Sequence, residues 1–265
     1  MLTAKPRIAP VTRVREVVDR HYGLTQVVLV VAAIQSYELL RHVMVPNWGV
    51  AIGHAQKVVH WERLLGIDWE AGLQATFLQI PDLVKAMNVF YFVGHFVLTS
   101  VFFLWLYHFS RPIFRRWRNG FLTATAIALV IHWKFPTAPP RLADIGLEDT
   151  LRTLSNIDIG SPTSSSFSNP VAAVPSLHAG WALGVGIGLI LYARPLLWKA
   201  IGAFYPIAVA LTIVVTGNHF VLDAVIGYAV MGAGFALSWV LFDRKTAATL
   251  PARRGVEQSG SSPGS

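Results

Sequence analysis

The sequence predicts an all-α fold, an integral membrane bundle of six transmembrane helices with short interfacial helices. Three observations carry that prediction. Hydrophobic residues make up 54% of the 265-residue chain and charged residues only 14%, too few charges to coat a water-soluble globule of this size. Six apolar stretches each approach the roughly 20 helical residues that a bilayer core requires. Lys and Arg gather between alternate stretches, the pattern by which a multi-span chain sets its direction.

Taken in order, residues 1–23 form a basic tail with Lys5, Arg7, Arg13, Arg15 and Arg20. The tail has no apolar core before Leu24, so a cleavable signal peptide is not expected. The first span is expected over 24–45, with Glu38 and Arg41 paired on it. In the connector 46–83, Val58, Val59, Trp61, Leu64 and Leu65, then Trp69, Leu73 and Phe77, have the spacing of short amphipathic helices at the membrane interface. They form either a packed connector or a lid. The second span covers 84–107, and Arg111, Arg115, Arg116 and Arg118 stand between it and the third, 117–135. Residues 142–174 are expected as loop, above all the Ser/Pro-rich stretch 161–170. The fourth, fifth and sixth spans are placed at 176–192, 198–215 and 220–242. Gly180, Gly184 and Gly188 make a smooth strip on the fourth span for close helix approach. Arg194 and Lys199 separate the fourth span from the fifth. Arg244, Lys245, Arg253 and Arg254 follow the sixth, in a tail (244–265) with the composition of a disordered segment.

These basic groups account for 15 of the 22 Lys and Arg. The intervening connectors instead hold acids, including Glu62, Asp68, Glu70, Asp82, Asp144, Glu148, Asp149 and Asp158. One membrane domain over 24–243 is therefore expected, multi-pass in the cell membrane, with both termini cytoplasmic. The formal charge of +8 is an orientation signal and no nucleic-acid partner is expected. The chain has no cysteine, which excludes disulfides, thiolate metal sites and cysteine nucleophiles.

Three polar clusters fall at the non-cytoplasmic ends of different spans. Lys134 to Arg141 closes the third span in a proline-rich segment that holds two cations near the surface. Ser176-Leu177-His178 opens the fourth, where free backbone N–H groups, a hydroxyl and the positive end of a helix dipole suit an oxyanion. Asn218, His219 and Asp223 open the sixth. His219 and Asp223 are four apart, so the carboxylate can hold one ring nitrogen while the other attacks. His178 in its first turn is placed to give a proton to a departing oxygen. A structural His-Asp pair would account for His219 and Asp223 alone, but not for the Ser-His helix start and the Lys/Arg pair on the same side. Asn88, Tyr91 and His95 recur at helical spacing on the second span, as cavity lining or as an interhelical hydrogen-bond network. Zinc held by His178, His219 and Asp223 finds no support in a motif such as H-E-x-x-H, so no metal is expected.

At these clusters the sequence resembles the type-2 phosphatidic acid phosphatase superfamily, whose membrane members carry K-x6-R-P, P-S-G-H and S-R-x5-H-x3-D. Lys134 and Arg141 match the first motif, Ser176 and His178 the second, His219 and Asp223 the third. The resemblance implies a six-helix membrane enzyme that needs no cofactor and acts on a lipid-borne phosphate. In it His219 attacks phosphorus, Asp223 orients the ring and His178 protonates the leaving group. Lys134, Arg141, Ser176 and the Leu177 position bind the phosphoryl oxygens, all on the extracytoplasmic side. Leu142 replaces the motif proline, Leu177 the glycine, and Thr212-Ile213 the Ser-Arg pair. P-S-L-H and the aromatic Phe220 are similar to the inositolphosphorylceramide synthase branch, in which an alcohol such as inositol, a polyol acceptor, resolves the phosphohistidine. A prenyl diphosphate substrate and a non-enzymatic membrane protein are the other readings.

Overall fold

The computed structural model describes residues 20–43, 47–157 and 171–243, with side chains undescribed at 30, 33, 34 and 36–43. The tails and the stretch 161–170 lie outside these residues, and the Glu38–Arg41 pairing lies outside the described side chains. Among the described residues every regular element is a helix: α1 (Tyr22–Val43), α2 (Trp48–Leu65), α3 (Glu70–Phe77), α4 (Pro81–Phe109), α5 (Arg111–Lys134), α6 (Thr150–Ser155), α7 (Leu177–Tyr192), α8 (Leu196–Val215) and α9 (Val221–Ser238). A helix thus stands at each of the six apolar stretches. Among the described residues three helices, Pro81–Phe109, Leu196–Val215 and Val221–Phe242, are by length and composition long and apolar enough to cross a membrane, and Leu177–Tyr192 is a shorter apolar helix. Their outward faces are apolar: Phe92, Val97, Leu104, Phe204, Ile207 and Val225 are all exposed, which suits hydrocarbon and not water.

Two features differ from expectation: α5 starts before its apolar run, and α6 stands within 142–174, expected as loop. α5 begins at Arg111, with Pro112 in its first turn, and runs through Arg115, Arg116 and Arg118. The helix outlasts the apolar run because proline suits a helix start and long basic side chains can extend to water from a helical backbone. The connector 46–83 is largely helical and packed: Ala51, Ala55 and Val58 of α2 are buried against Ala138, Val174 and Phe220. Trp61, Leu64, Leu65 and Trp69 remain exposed on its outer side.

α7 lies at the centre, packed against α8 and α9, and α9 packs along α5. Trp117, Phe121, Ala182, Val185, Val209 and Met231 form the core between them. Glycine permits the closest approaches. A Cβ on Gly227 of α9 would sit 2.2 Å from the carbonyl oxygen of Ser176, and one on Gly186 of α7 would sit 2.4 Å from that of Gly202 on α8. Gly184 and Gly188 instead receive the rings of Phe121 and Phe102. Since the Ser176 carbonyl is backbone at the mouth of α7, Gly227→Ala is expected to destabilise the fold by about 1–3 kcal/mol, as overpacking does. A lowered thermal unfolding midpoint in detergent would show it.

Candidate active site

The C-terminal ends of α5 and α8 and the N-terminal starts of α7 and α9 meet at one end of the bundle. The loops there are tied to one another by backbone bonds. Arg141 N–H donates to the Gly217 carbonyl (2.9 Å), Thr137 N–H to Val171 (2.8 Å), Ala173 N–H to Thr137 (3.1 Å) and Ser176 N–H to Asp223 (3.0 Å). Gly217 turns the chain out of α8 at φ +68°, a left-handed conformation that glycine adopts without strain, and a Cβ there would lie 3.0 Å from that of Arg141. The turn delivers His219 to the start of α9.

His219 is nearly fully buried. Its Nδ1 lies 2.9 Å from the Ala173 carbonyl and 3.4 Å from Asp223 Oδ2. A carbonyl only accepts, so Nδ1 carries the proton and Nε2 is left with its lone pair. Asp223 is fully buried; Oδ2 also accepts the N–H of Phe220 at 2.9 Å, while Oδ1 has no partner. The carboxylate therefore fixes both the ring and the backbone next to it.

The His178 ring stands 5.9 Å from that of His219, centroid to centroid. His178 bonds the Tyr91 carbonyl, and its Nε2 is buried without a partner. The Tyr91 ring stacks on His178 at 4.4 Å. Tyr91 lies in a π-helical turn of α4, Phe90–Gly94, a widened turn that presents its carbonyl sideways toward α7. Behind His178, at 5.0 Å, is the ring of His95; its Nδ1 pairs with the Tyr205 hydroxyl (2.9 Å) and its Nε2 is buried and unpartnered. Ser176 caps α7, its Oγ accepting the Ala179 N–H at 3.3 Å. The hydroxyl can still donate its own proton, and the N–H groups of the first turn at Leu177 and His178 have no intrahelical acceptor.

Arg141 reaches this end from a short 3-10 turn, Pro140–Leu142. Its Nε donates to Asn218 Oδ1 (3.0 Å) and its Nη1 pairs with Asp149 Oδ2 (2.9 Å). Asn218 in turn donates to Thr216 Oγ1 at 2.8 Å. Arg141 and Asn218 thus form one unit beside His219. Lys134 stands apart, exposed at the end of α5 with its ammonium 3.9 Å above the Trp133 ring. Asn88 is engaged elsewhere: its amide donates to the Thr150 carbonyl and to Ser155 Oγ, both at 2.8 Å, and fastens α6 to α4. It belongs to the interhelical network, one of the two roles its spacing allowed. Where the third motif would carry arginine, Ile213 is buried in the core, and its carbonyl accepts the N–H groups of Asn218 and His219.

Several contributors escape the sequence. Glu62 and Glu70, two of the connector's acids, are buried and accept the N–H groups of Leu222 (2.7 Å) and Val221 (2.8 Å) respectively. Gln74 bonds the Val215 carbonyl and both backbone groups of Glu148. His132 holds the Pro175 carbonyl at 3.1 Å. One signal was available for Glu62: at helical spacing it continues the stripe Ala51, Ala55, Val58, which is the buried face of α2.

A family model described as the PAP2 superfamily matches residues 56–237, a span that includes both histidines, the Ser176 cap and the two connector carboxylates. No curated protein and no solved structure matches the chain.

Proposed function

Because the chain belongs to the PAP2 superfamily, we propose that it is a six-span membrane enzyme that cleaves or transfers a phosphate ester of a lipid through a phosphohistidine at His219. The observation that carries this reading is the 5.9 Å separation of the His178 and His219 rings, with Nδ1 of His219 held by the Ala173 carbonyl and Asp223. A phosphorus atom between the two rings would meet the Nε2 lone pair of His219 on one side and the Nε2 of His178 on the other, which donates once that ring has taken up a proton as imidazolium.

In the first step His178, protonated at Nε2 by the incoming phosphate monoanion while its other ring nitrogen stays on the Tyr91 carbonyl, gives that proton to the lipid alcohol oxygen as His219 Nε2 bonds to phosphorus and the bond from phosphorus to that oxygen breaks. In the second, water or an alcohol attacks the phosphohistidine, gives its proton to His178, and the phosphorus–nitrogen bond breaks. Asp223 stabilises the imidazolium that forms in between. Ser176, the N–H groups at Leu177 and His178, and Arg141 surround the phosphoryl oxygens, whose developing charge such donors stabilise. Lys134 lies at the rim, where it attracts the anionic headgroup. The Arg-rich start of α5 and the residues Arg194 and Lys199 lie at the opposite end of the bundle. That asymmetry orients the site away from the cytoplasm.

A second reading, transfer to a polyol instead of water, is favoured by Ile213, which takes the place of an arginine that would bind a free phosphomonoester. Purified protein incubated with phosphorus-labelled lipid extract is expected to acquire acid-labile label in the presence of a chelator. Chase into inorganic phosphate without an acceptor marks a phosphatase; chase only after inositol is added marks a phosphotransferase. No label, with the lipid ionised at carbon instead, would support prenyl diphosphate chemistry, and unaltered lipid a non-enzymatic role; either overturns the proposal.

A further inference from the structure

The start of α9 is unlike an ordinary helix N-terminus. Its free N–H groups point to where an anion would bind, yet three successive ones are already taken by carboxylates of the protein: Phe220 by Asp223, Val221 by Glu70 and Leu222 by Glu62. Two of the three acids come from the connector, far away in sequence. All three are buried, at 0, 5 and 0% exposure for Asp223, Glu70 and Glu62, which is why they matter: an acid this deep is not a solvating group. Gln74, on the same connector, grips the Val215 carbonyl where the loop leaves α8. The connector therefore holds the His219 loop from both sides.

Resting on the function proposed above, we propose that Glu62 and Glu70 are positioning residues for His219. They fill the anion site at the start of α9, so that the phosphoryl group is taken by the start of α7 and lies across from His219 Nε2. Two helix starts meet at this end of the bundle, and either could draw a phosphate. One is closed from within; the other ends at the unpartnered Nε2 of His178.

The charge balance adds a requirement. Glu62, Glu70 and Asp223 crowd together, and what offsets them is the Nδ1–H of His219 and a helix end worth about half a charge. Three full negative charges do not fit there, so one carboxyl holds a proton. The titratable groups facing Glu62 are Glu70 from α3 and Asp223 from α9. Burial pushes the Glu62 carboxyl up to about 9, opposed by the Leu222 N–H and reinforced by Glu70 and Asp223. The side-chain hydrogen bond between Glu62 and Glu70 needs a proton on one of the two carboxyls, which the neutral Glu62 supplies. An acid whose pKa rises on folding favours the folded state most at low pH, and that advantage is lost as pH climbs from the ordinary carboxylate range toward about 9.

The test uses the full-length protein in detergent, with Glu62→Gln and Glu70→Gln, from mildly acidic to alkaline pH. Formation of acid-labile label from labelled lipid extract and the thermal unfolding midpoint are both measured. Glu62→Gln, a copy of the neutral acid, is expected to label at a rate within about threefold of wild type near neutrality and to lack the wild-type loss at alkaline pH. Glu70→Gln removes the charge that locks Val221 and is expected to label about tenfold to a hundredfold more slowly, as a displaced nucleophile does. The unfolding midpoint of wild type should fall with rising pH more steeply than that of Glu62→Gln. Variants that reproduce the wild-type rate, alkaline limb and unfolding profile would overturn the proposal. If Glu62→Gln cannot be recovered folded, the rate of Glu70→Gln decides. Failure of wild type to label counts against the proposed function instead, and the unfolding profiles still judge the clamp.

Discussion

With His219 replaced by alanine, acid-labile label disappears and turnover falls at least about 10^4-fold, because covalent catalysis has no second nucleophile to fall back on. The geometry sharpens that expectation. His178, the nearest imidazole, already has one ring nitrogen bonded to the Tyr91 carbonyl and stacks under the Tyr91 ring. It cannot swing into the position that His219 Nε2 holds without breaking both contacts. The Ala173 carbonyl and Asp223 would lose the ring that joins them, leaving a buried carboxylate with only the Phe220 N–H. Measurement therefore needs two readouts, label per protein and the unfolding midpoint, so that a lost nucleophile is not confused with a lost fold. Asp223→Asn separates the contributions further: the amide keeps the Phe220 cap but misorients the ring and withdraws the compensating charge, so label should form slowly instead of vanishing. Label of wild-type amount in His219→Ala would remove His219 from the chemistry.

How much of this was legible beforehand depends on the kind of signal each residue leaves. Asp223 announces itself because a carboxylate inside an apolar run is costly, and polar clusters at the end of the third span and the starts of the fourth and sixth, with His178 and His219 among them, point to one face of the bundle. Their convergence, with rings 5.9 Å apart, follows from α7 and α9 packing at Gly180 and Gly227. Sequence marks Glu62 only by its place on the stripe Ala51, Ala55, Val58, and Glu70 not at all. Both lie in the connector, and the tertiary placement of α2 and α3 over the start of α9 buries them. Lys134 shows the opposite limit. Spacing places it in a motif, but at the last residue of α5 the direction of a long side chain is set by local packing, here the Trp133 ring. Arg141 was legible as a cation; its hold by Asp149 and Asn218 was not, since it depends on the 3-10 turn and the loop after α8 arriving together.

Replacing His178 by alanine should produce a loss that depends on the leaving group. A general acid contributes about 10^2 to 10^4 in rate when the departing oxygen is strongly basic, as an aliphatic lipid alcohol is, and little when the oxygen leaves readily as an anion. His178→Ala is therefore expected to lose about 10^3-fold with a dialkyl or acyl glycerol phosphate and less than about tenfold with an aryl phosphate, measured as label formed on His219 in single turnover. The local structure supports the comparison. His178 follows the Ser176 cap, so alanine keeps the helix start, the Oγ bond to Ala179 and the first-turn N–H groups in place. What is removed is one Nε2 without a protein partner, the bond of the other ring nitrogen to the Tyr91 carbonyl, and a ring wedged between Tyr91 and His95. A uniform loss across both substrates would assign His178 to packing or to phosphoryl binding, whereas a loss confined to the poor leaving group assigns it the proton.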